Sequence, residues 1–242
     1  MNRSSDRWLR SHLGNMQVDV SMAAYTKVPS DWRELRFVPD FNRLYFIMEG
    51  EGWLQIGDKE YYPQPGQLFV MPAGVIQSFS TINDNTFRKY WCHFTVTLGD
   101  VPLFKAFDLP HYIEVDDVPW LQSRFETLIN HHRSDDLTSA IRVKASMFEI
   151  LSFYLERVPA QTIRVKPTDS MDKVSVVLKY IDDHLPDNIT VEQLAKLIYL
   201  HPNYFIHFFK SMLGSSPIQY INQRKLEKAK VQLMTTDLSI SE

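Results

Sequence analysis

The chain has 242 residues, enough for one large or two modest domains, with the 44% hydrophobic and 23% charged residues of an ordinary globular protein. Its single cysteine, Cys92, excludes a disulfide framework and any multi-thiolate metal site. The net charge of -3 excludes a uniformly basic nucleic-acid coat but allows a local basic patch. We see no secretory signal and no apolar run long enough for a membrane span, so the sequence predicts a cytoplasmic protein without membrane contact.

Short strands separated by Gly and Pro are predicted from about residue 32 to residue 96. The strand-like segments are Arg43–Met48, Trp53–Ile56, Glu60–Tyr62, Gln67–Met71, Ile76–Phe79 and Phe87–Val96. Their spacing is typical of an antiparallel sandwich or barrel and is too short for crossover helices. The predicted fold class is therefore α+β, with an antiparallel barrel over about residues 17–116 followed by helices.

The hydrophobic period becomes helical from about residue 117, and two amphipathic segments up to residue 157 are predicted to form a helical hairpin. Ser134–Asp136 is predicted to supply the turn and the N-cap of the second helix. The apolar stripe of that helix consists of Leu137, Ile141, Ala145, Phe148, Leu151 and Leu155. Two interpretations of this stripe stay open, since it could cover one side of the barrel or form the seam of a homodimer.

Residues 158–170 contain two prolines and little apolar periodicity, which predicts an extended linker between a domain at 1–157 and another at 171–242. Beyond the linker every segment has a helical pattern. Thr190–Gln193 matches a capping box, Pro202 suits the first turn of the next helix, and Gly214 suits a left-handed cap. Two short helices joined by a tight turn indicate a helix-turn-helix.

The charge distribution of this helical part is uneven. Residues 172–192 carry two basic and five acidic side chains, whereas residues 196–230 carry six basic side chains and one acidic side chain. A solvated helix surface would explain the basic run alone. Together with a helix-turn-helix, the run indicates a positive face for DNA phosphates.

Several segments of the helical part together resemble the arabinose-operon regulator (AraC/XylS) family, over roughly residues 174–242. They are Ile189–Ala195, Asn203–Phe205, Phe209–Lys210, Gly214–Pro217, Tyr220–Ile221, Arg224–Leu226, Ala229 and Leu233–Ile240. The resemblance implies two helix-turn-helix units joined by one long helix. The second unit would begin at Ser239–Glu242, where the sequence stops, so a chain truncated before that unit is expected.

By that resemblance, the helix that starts at Pro202 is the first recognition helix in the major groove of double-stranded DNA. The expected DNA-binding residues are Pro202, Asn203, Ile206, His207, Lys210 and Arg224. Among them Asn203, Ile206 and His207 would face base edges, while Lys210 and Arg224 would meet phosphates. The phenylalanines of the same helix, Phe205, Phe208 and Phe209, are predicted to be core residues.

The spacing Gly66-x5-Pro72-x-Gly74 resembles the turn–strand–turn signature of cupin barrels. In metal-dependent cupins, as the resemblance implies, a His-x-His…Glu set and a later His hold the metal. The four matching positions here hold Phe37, Pro39, Arg43 and Gln77. These residue types are poor ligands for a divalent first-row metal, so neither a metal nor another cofactor is expected.

No catalytic residue is predicted either, because Cys92 and His93 are neighbours in a strand and their side chains point to opposite faces. The alternative that stays open is a cupin-type isomerase or oxygenase that carries a helical interaction module.

Period-2 alternation places charged and aromatic side chains together on one face of two predicted strands, as a pocket for a polar ligand would need. The candidate ligand-binding residues are Arg43, Tyr45, Glu49, Gln77, Phe79, Trp91 and His93. The family resemblance implies that Trp91 stacks on a sugar ring, and Arg43, Glu49 and Gln77 would hold hydroxyl groups. Plain core packing remains the alternative for the aromatic members and for His93.

The sequence therefore predicts a cytoplasmic, ligand-responsive transcription regulator with a metal-free cupin sensor. The resemblance favours an activator of sugar-utilisation genes that binds operator or promoter DNA, a sugar effector and RNA polymerase. It also suggests that the segment Met16–Val28 folds over the pocket as an arm. A further alternative keeps DNA binding but makes the barrel only a dimerisation body.

Overall fold

The computed structural model describes residues 13–99, 101–159, 164–165 and 169–235. The chain divides into two compact units, and each is described by itself. One consists of Val18–Val96 and Pro102–Lys166, and the other is built mainly from the residues after Pro167. The first unit holds sheets and a helical hairpin, whereas the residues described from Asp169 onward are helical, which confirms the α+β prediction.

The strands of the described residues are mostly short. They are β1 (Met16–Lys27), β2 (Arg33–Phe37), β3 (Asn42–Glu49), β4 (Trp53–Ile56), β5 (Lys59–Tyr61), β6 (Gln67–Met71), β7 (Gln77–Ser80), β8 (Arg88–Leu98), β9 (Val101–Pro102), β10 (Phe107–Asp108), β11 (Tyr112–Glu114) and β12 (Arg164–Val165).

Two antiparallel sheets build the cupin-like barrel. The larger sheet has the strand order β1-β8-β3-β6-β11, and the smaller sheet has the order β2-β7-β4-β5. Apolar side chains from both sheets, such as Ile47 of β3 and Leu54 of β4, pack into one fully buried cluster between them. Gly66 enters β6 at a φ of 88°, a left-handed conformation that glycine adopts without strain, as the turn signature predicts.

The segment Met16–Lys27 is strand β1, which pairs with β8 at the edge of the larger sheet. Its buried residues are Val18, Val20 and Ala23, while most of the residues between them are exposed, as expected for a half-buried edge strand. The prediction that this segment folds over the pocket as an arm is therefore wrong, because its backbone pairs with β8 as a strand of the sheet.

The helical part of the first unit consists of α1 (Leu103–Ala106), α2 (Val118–His132) and α3 (Ser139–Glu156). The Asp117 carboxylate caps α2 by accepting a hydrogen bond from the Trp120 amide at 3.0 Å. The predicted capping of α3 by Ser134–Asp136 is wrong. Its N-cap is Thr138, and the Ser134 hydroxyl instead donates to the Asp136 carboxylate within the turn, at 2.7 Å.

Helix α3 has two apolar faces. Buried side chains, among them Val143, Met147, Ile150 and Tyr154, form one face. The predicted stripe lies mainly on the other: Leu137 and Ile141 are 98% and 69% exposed, Ala145 is exposed, and Phe148 and Leu155 are half-buried. Leu151 is fully buried, so its assignment to a dimer seam is wrong and it belongs to the core of the first unit.

The second unit contains α4 (Asp169–Asp183), α5 (Val191–Leu197), α6 (Pro202–Leu213) and α7 (Pro217–Thr235). The capping box is confirmed, since the Thr190 hydroxyl accepts from the Gln193 amide and the Gln193 side chain accepts from the Thr190 amide. Gly214 ends α6 at a φ of 76°, and its amide donates to the Lys210 carbonyl at 2.8 Å.

The core of the second unit combines aliphatic and aromatic side chains. Phe205, Phe208 and Phe209 of α6 are buried, which confirms their prediction as core residues. Leu194 and Ala195 of α5 are buried as well. Helices α5 and α6 and the turn between them are therefore the predicted helix-turn-helix.

The predicted linker, residues 158–170, lies largely outside the described residues. Of its middle part, only Arg164–Val165 is described, and these residues form β12, which pairs antiparallel with β10. The last residues, Ser239–Glu242, also lie outside the described part of the chain.

Candidate ligand site and nucleic-acid interface

The register between β3 and β8 places one row of side chains on the inner face of the larger sheet. Arg43 lies opposite His93, Tyr45 opposite Trp91, and Ile47 opposite Lys89. Because side chains alternate along a strand, these six positions share one face. In the smaller sheet, β7 contributes Gln77 and Phe79, which contact the same interior.

Arg43 is the centre of this interior cluster, and it is only 6% exposed. Its Nη1 donates to Gln77 Oε1 at 2.8 Å, and its Nε donates to His93 Nε2 at 3.3 Å. The guanidinium carbon lies 4.3 Å from the ring centroid of Phe37 and 5.5 Å from that of Phe79. Burial lowers the pKa of Arg43, since the charged form loses hydration.

The structure brings most of the predicted ligand-binding residues together. Arg43, Gln77, Phe79 and His93 are in direct contact through the bonds and rings just described. Tyr45 is buried in the same apolar cluster, where desolvation raises its pKa.

Trp91, which pairs with Tyr45 in the register of β3 and β8, packs against this cluster. Its ring centroid is 4.9 Å from that of His93, and its Nε1 donates to Thr26 Oγ1 of β1 at 3.0 Å.

Glu49 is the predicted ligand residue that the structure does not bring to the cluster. A register irregularity between Ile47 and Glu49 breaks the alternation of β3, which turns the side chain away from the row that contains Arg43. Its carboxylate instead accepts from Arg88 Nε at 3.1 Å on the surface. The prediction that Glu49 shares the inner face is therefore wrong.

Sequence reasoning missed Lys89, which is 2% exposed. Its Nζ lies 3.3 Å from the ring centroid of Tyr45 and 3.9 Å from that of Trp32, so the ammonium is enclosed by aromatic faces. Burial lowers its pKa well below the usual lysine value, and the positive charge of Arg43 lowers it further. Extending the alternation of Trp91 and His93 back by two residues would have found it.

His93 makes the stability of the barrel dependent on pH. Burial lowers its pKa from 6.5 to about 4, and the charges of Arg43 and Lys89 act in the same direction. Between these values the unfolded chain binds more protons than the folded chain, so stability falls as the pH is lowered from 6.5 to 4. We expect His93→Gln, which keeps an acceptor near Arg43, to weaken this loss in thermal melts, whereas the exposed His207→Gln control changes nothing.

The exposed face of α6 is polar. Asn203, His207 and Lys210 are exposed and follow helical spacing, while Pro202 and Ile206 at the edge of this face are half-buried. The phenylalanines occupy the opposite face. The five predicted contacts on α6 thus lie on or beside one surface of the helix, and their binding to DNA stays a prediction.

Arg224, the sixth predicted DNA contact, is engaged within the protein. Its Nη2 binds Asp182 Oδ1 of α4 at 2.9 Å, and its Nη1 binds Glu227 Oε2 at 3.1 Å. The Asp182 carboxylate raises the pKa of the guanidinium. Because both nearby acids already compensate its charge, Arg224 links α7 to α4 in this structure, and phosphate binding would have to compete with these pairs.

Cys92 and His93 point to opposite faces of β8, as the sequence predicts. Cys92 is fully buried, with its Sγ 4.0 Å from Met147 Sδ of α3, whereas His93 faces the barrel interior. Burial raises the pKa of the thiol, so the reactive thiolate is disfavoured. No group of three or more His, Cys, Asp or Glu side chains arranged to hold a metal ion occurs among the described residues.

Two family models match this chain. The AraC-like ligand binding domain matches residues 36–151, and the helix-turn-helix of the AraC family of bacterial regulatory proteins matches residues 181–222. The first match covers the strands that carry the Arg43 cluster, and the second covers α5 and α6. The chain thus carries an AraC-like ligand-binding domain and an AraC-family helix-turn-helix.

Similar proteins carry regulatory names. Regulatory protein PocR of Salmonella typhimurium is 30% identical over 60% of this chain, and the matched part spans about half, 52%, of that relative. The arabinose operon regulatory protein of Escherichia coli is 22% identical over 82% of this chain and 69% of its own length. Both relatives are named as regulatory proteins.

Among solved structures, apo ToxT from Vibrio cholerae is similar at 13% identity and a TM-score of 0.37, covering 86% of this chain and 97% of that one. Within the described residues, no helix has the length and apolar character that a membrane crossing requires.

Proposed function

We propose that this protein is a ligand-responsive transcription regulator in which the barrel interior binds a small effector and α6 reads DNA. The observation that carries the proposal is the open polar face of Asn203, His207 and Lys210 on the second helix of the helix-turn-helix. The same chain holds an interior cluster of charged and aromatic groups around Arg43. A purely structural barrel has no need of such a cluster.

The proposed roles of the parts of the chain follow the domain boundaries predicted from the sequence. Residues 1–157 would sense the ligand and form a homodimer, residues 158–170 would link, and residues 171–242 would belong to the DNA-binding part. The exposed stripe of Leu137, Ile141 and Ala145 supports a dimer, since large apolar side chains are rarely left together in water without a partner. In this proposal the regulator acts in the cytoplasm and activates transcription through RNA polymerase.

A sugar or sugar derivative is the proposed effector. The rings of Trp91, Phe79 and Phe37 offer flat apolar faces for the C–H groups of a pyranose, and Gln77 and Arg43 offer groups that bind hydroxyls. The name of the arabinose operon regulatory protein, one of the relatives, points the same way. The inducer would act by binding two arrangements of the regulator with different affinity.

Lys210→Ala tests the DNA-reading face. We expect the substitution to weaken binding to every duplex and to reduce the dependence of log K on log salt by about one, since one phosphate contact is lost. The measurement is a fluorescence anisotropy titration of labelled duplex DNA over a range of salt concentrations, with the exposed Lys59→Ala of β5 as the matched control.

An altered base preference with an unchanged salt slope would contradict the assignment of Lys210 to a phosphate. Equal behaviour of the Lys210 and Lys59 variants would contradict the placement of α6 on DNA.

A further inference from the structure

Two cations are buried in the barrel interior without a buried acid. Arg43 and Lys89 are 6% and 2% exposed, and no Asp or Glu is buried among the residues that the structure describes. The one carboxylate that raises the pKa of Arg43 among the described residues is that of Glu34, an exposed residue, and the phenol of Tyr45 acts in the same direction. Arg43 and Lys89 lie on the same inner face of β3 and β8, two same-face residue pairs apart in the register, and the charge of Arg43 lowers the pKa of Lys89. Neither cation has a buried carboxylate beside it among the described residues.

The contacts of these cations do not replace a counter-ion. Arg43 donates to a neutral amide, Gln77, and to His93, and otherwise lies over aromatic rings. Lys89 has ring faces on two sides, from Trp32 and Tyr45. Cation–π contacts offset only part of the lost hydration, and a buried charge is normally paired. A lysine and an arginine held this way place positive charge beside aromatic rings without a described carboxylate to compensate it.

We infer that the effector carries an anionic group, a carboxylate or a phosphate, which Arg43 and Lys89 bind together inside the barrel. The inference rests on the proposed function, because it assumes that the interior around Arg43 is the effector site. The planar guanidinium binds such a group through two parallel hydrogen bonds, and the flexible lysine side chain lets its ammonium turn from the rings to the anion. The rings then enclose the rest of the ligand.

This assignment changes the expected ligand class. A neutral sugar would leave both charges unpaired, whereas a uronate, a sugar phosphate or another compact acid would remove the repulsion between them. The lowered pKa values of Lys89 and Arg43 agree with a site that lacks its anion. Anion binding would favour the protonated form of Lys89 and raise its pKa.

The test compares matched neutral and charged probes by isothermal titration calorimetry. The pairs are D-galactose with D-galacturonate and D-glucose with D-glucose 6-phosphate, and the proteins are the wild type, Lys89→Met and the exposed control Lys59→Met. For any pair that binds, we expect the charged member to bind at least about tenfold more tightly to the wild type and the control, which corresponds to about 1.4 kcal/mol. Because Arg43 is retained, Lys89→Met should reduce that preference, whereas Lys59→Met should leave it unchanged. The pair that shows the preference tells whether the anionic group is a carboxylate or a phosphate.

A second arm needs no sugar. Inorganic phosphate and acetate, compared with chloride at equal ionic strength, should raise the melting temperature of the wild type and Lys59→Met more than that of Lys89→Met. Equal binding of neutral and charged sugars would overturn the anion inference while leaving the sensor proposal intact. If no sugar binds but the anions raise the melting temperature less in Lys89→Met than in the other two proteins, the anion inference is supported and a sugar effector is rejected. If the anions raise the melting temperature of all three proteins equally, the inference is overturned.

Discussion

Replacing Phe209 with Ala is expected to lower the free energy of unfolding of the helix-turn-helix by about 3–5 kcal/mol, the usual cost of deleting a buried phenylalanine ring. Phe209 is fully buried, and its ring centroid lies 5.6 Å from those of both Phe205 and Tyr220, so it joins α6 to α7. The loss would be a large part of the total stability of a small helical unit. Urea denaturation followed by circular dichroism measures it.

His207→Ala is the matched control for Phe209→Ala on the same helix. His207 is exposed and two residues away, so its removal should change the free energy of unfolding by less than about 0.5 kcal/mol while altering the preferred DNA sequence. A large loss of stability in His207→Ala, or none in Phe209→Ala, would show that the buried and DNA-facing sides of α6 have been assigned the wrong way round.

Lys89→Met is expected to stabilise the ligand-free barrel by about 1–4 kcal/mol, because a buried cation without an acidic partner is replaced by an apolar side chain of similar length. The gain corresponds to a rise of several degrees in melting temperature. Methionine can occupy the space between the rings of Trp32 and Tyr45 without the cost of desolvating a charge. Differential scanning calorimetry without added anions measures the change.

Arg43→Met makes a contrasting control. Loss of the Arg43 side chain leaves the buried Oε1 of Gln77 without its guanidinium donor, so the free energy of unfolding should fall by about 1–3 kcal/mol. If Lys89→Met destabilises the barrel as much as Arg43→Met does, Lys89 stabilises the barrel by packing, and the proposal that it binds an anion loses its physical basis.

Local patterns explain why most of the fold was predictable. The capping box at Thr190 and the glycine cap at Gly214 are signals within one turn of chain, and both lie where the sequence placed them. Strands β4 and β6 have the predicted bounds because alternation and the flanking turn residues agree. The edge strand β1 was misjudged, since its pairing with β8 depends on residues far along the chain.

The errors at the candidate sites have a common cause in long-range contacts. Lys89 was overlooked because a charged residue in a strand is usually solvated, and only the rings of Trp32 and Tyr45 show that it is enclosed. Glu49 was placed inside because the irregularity in β3 leaves no mark in the sequence. The prediction that Arg224 meets a phosphate stays a prediction, but its pair with Asp182, 42 residues earlier, was likewise not foreseen. Each position was judged from its neighbours in sequence, whereas its role depends on a distant residue.

The measurement that tests the central claim most directly is the affinity of this chain for duplex DNA with and without the probe that gives the largest thermal shift. The duplex would first be enriched from a randomised pool by the wild type, and the same titration would be made with Arg43→Ala. A regulator that couples its two parts must show a change in DNA affinity, and DNA must change the affinity for the probe by the same factor. We predict such a change for the wild type and none for Arg43→Ala, which should still bind the duplex. A probe that stabilises the barrel but leaves DNA affinity unchanged would contradict the claim and make the barrel a dimerisation body alone.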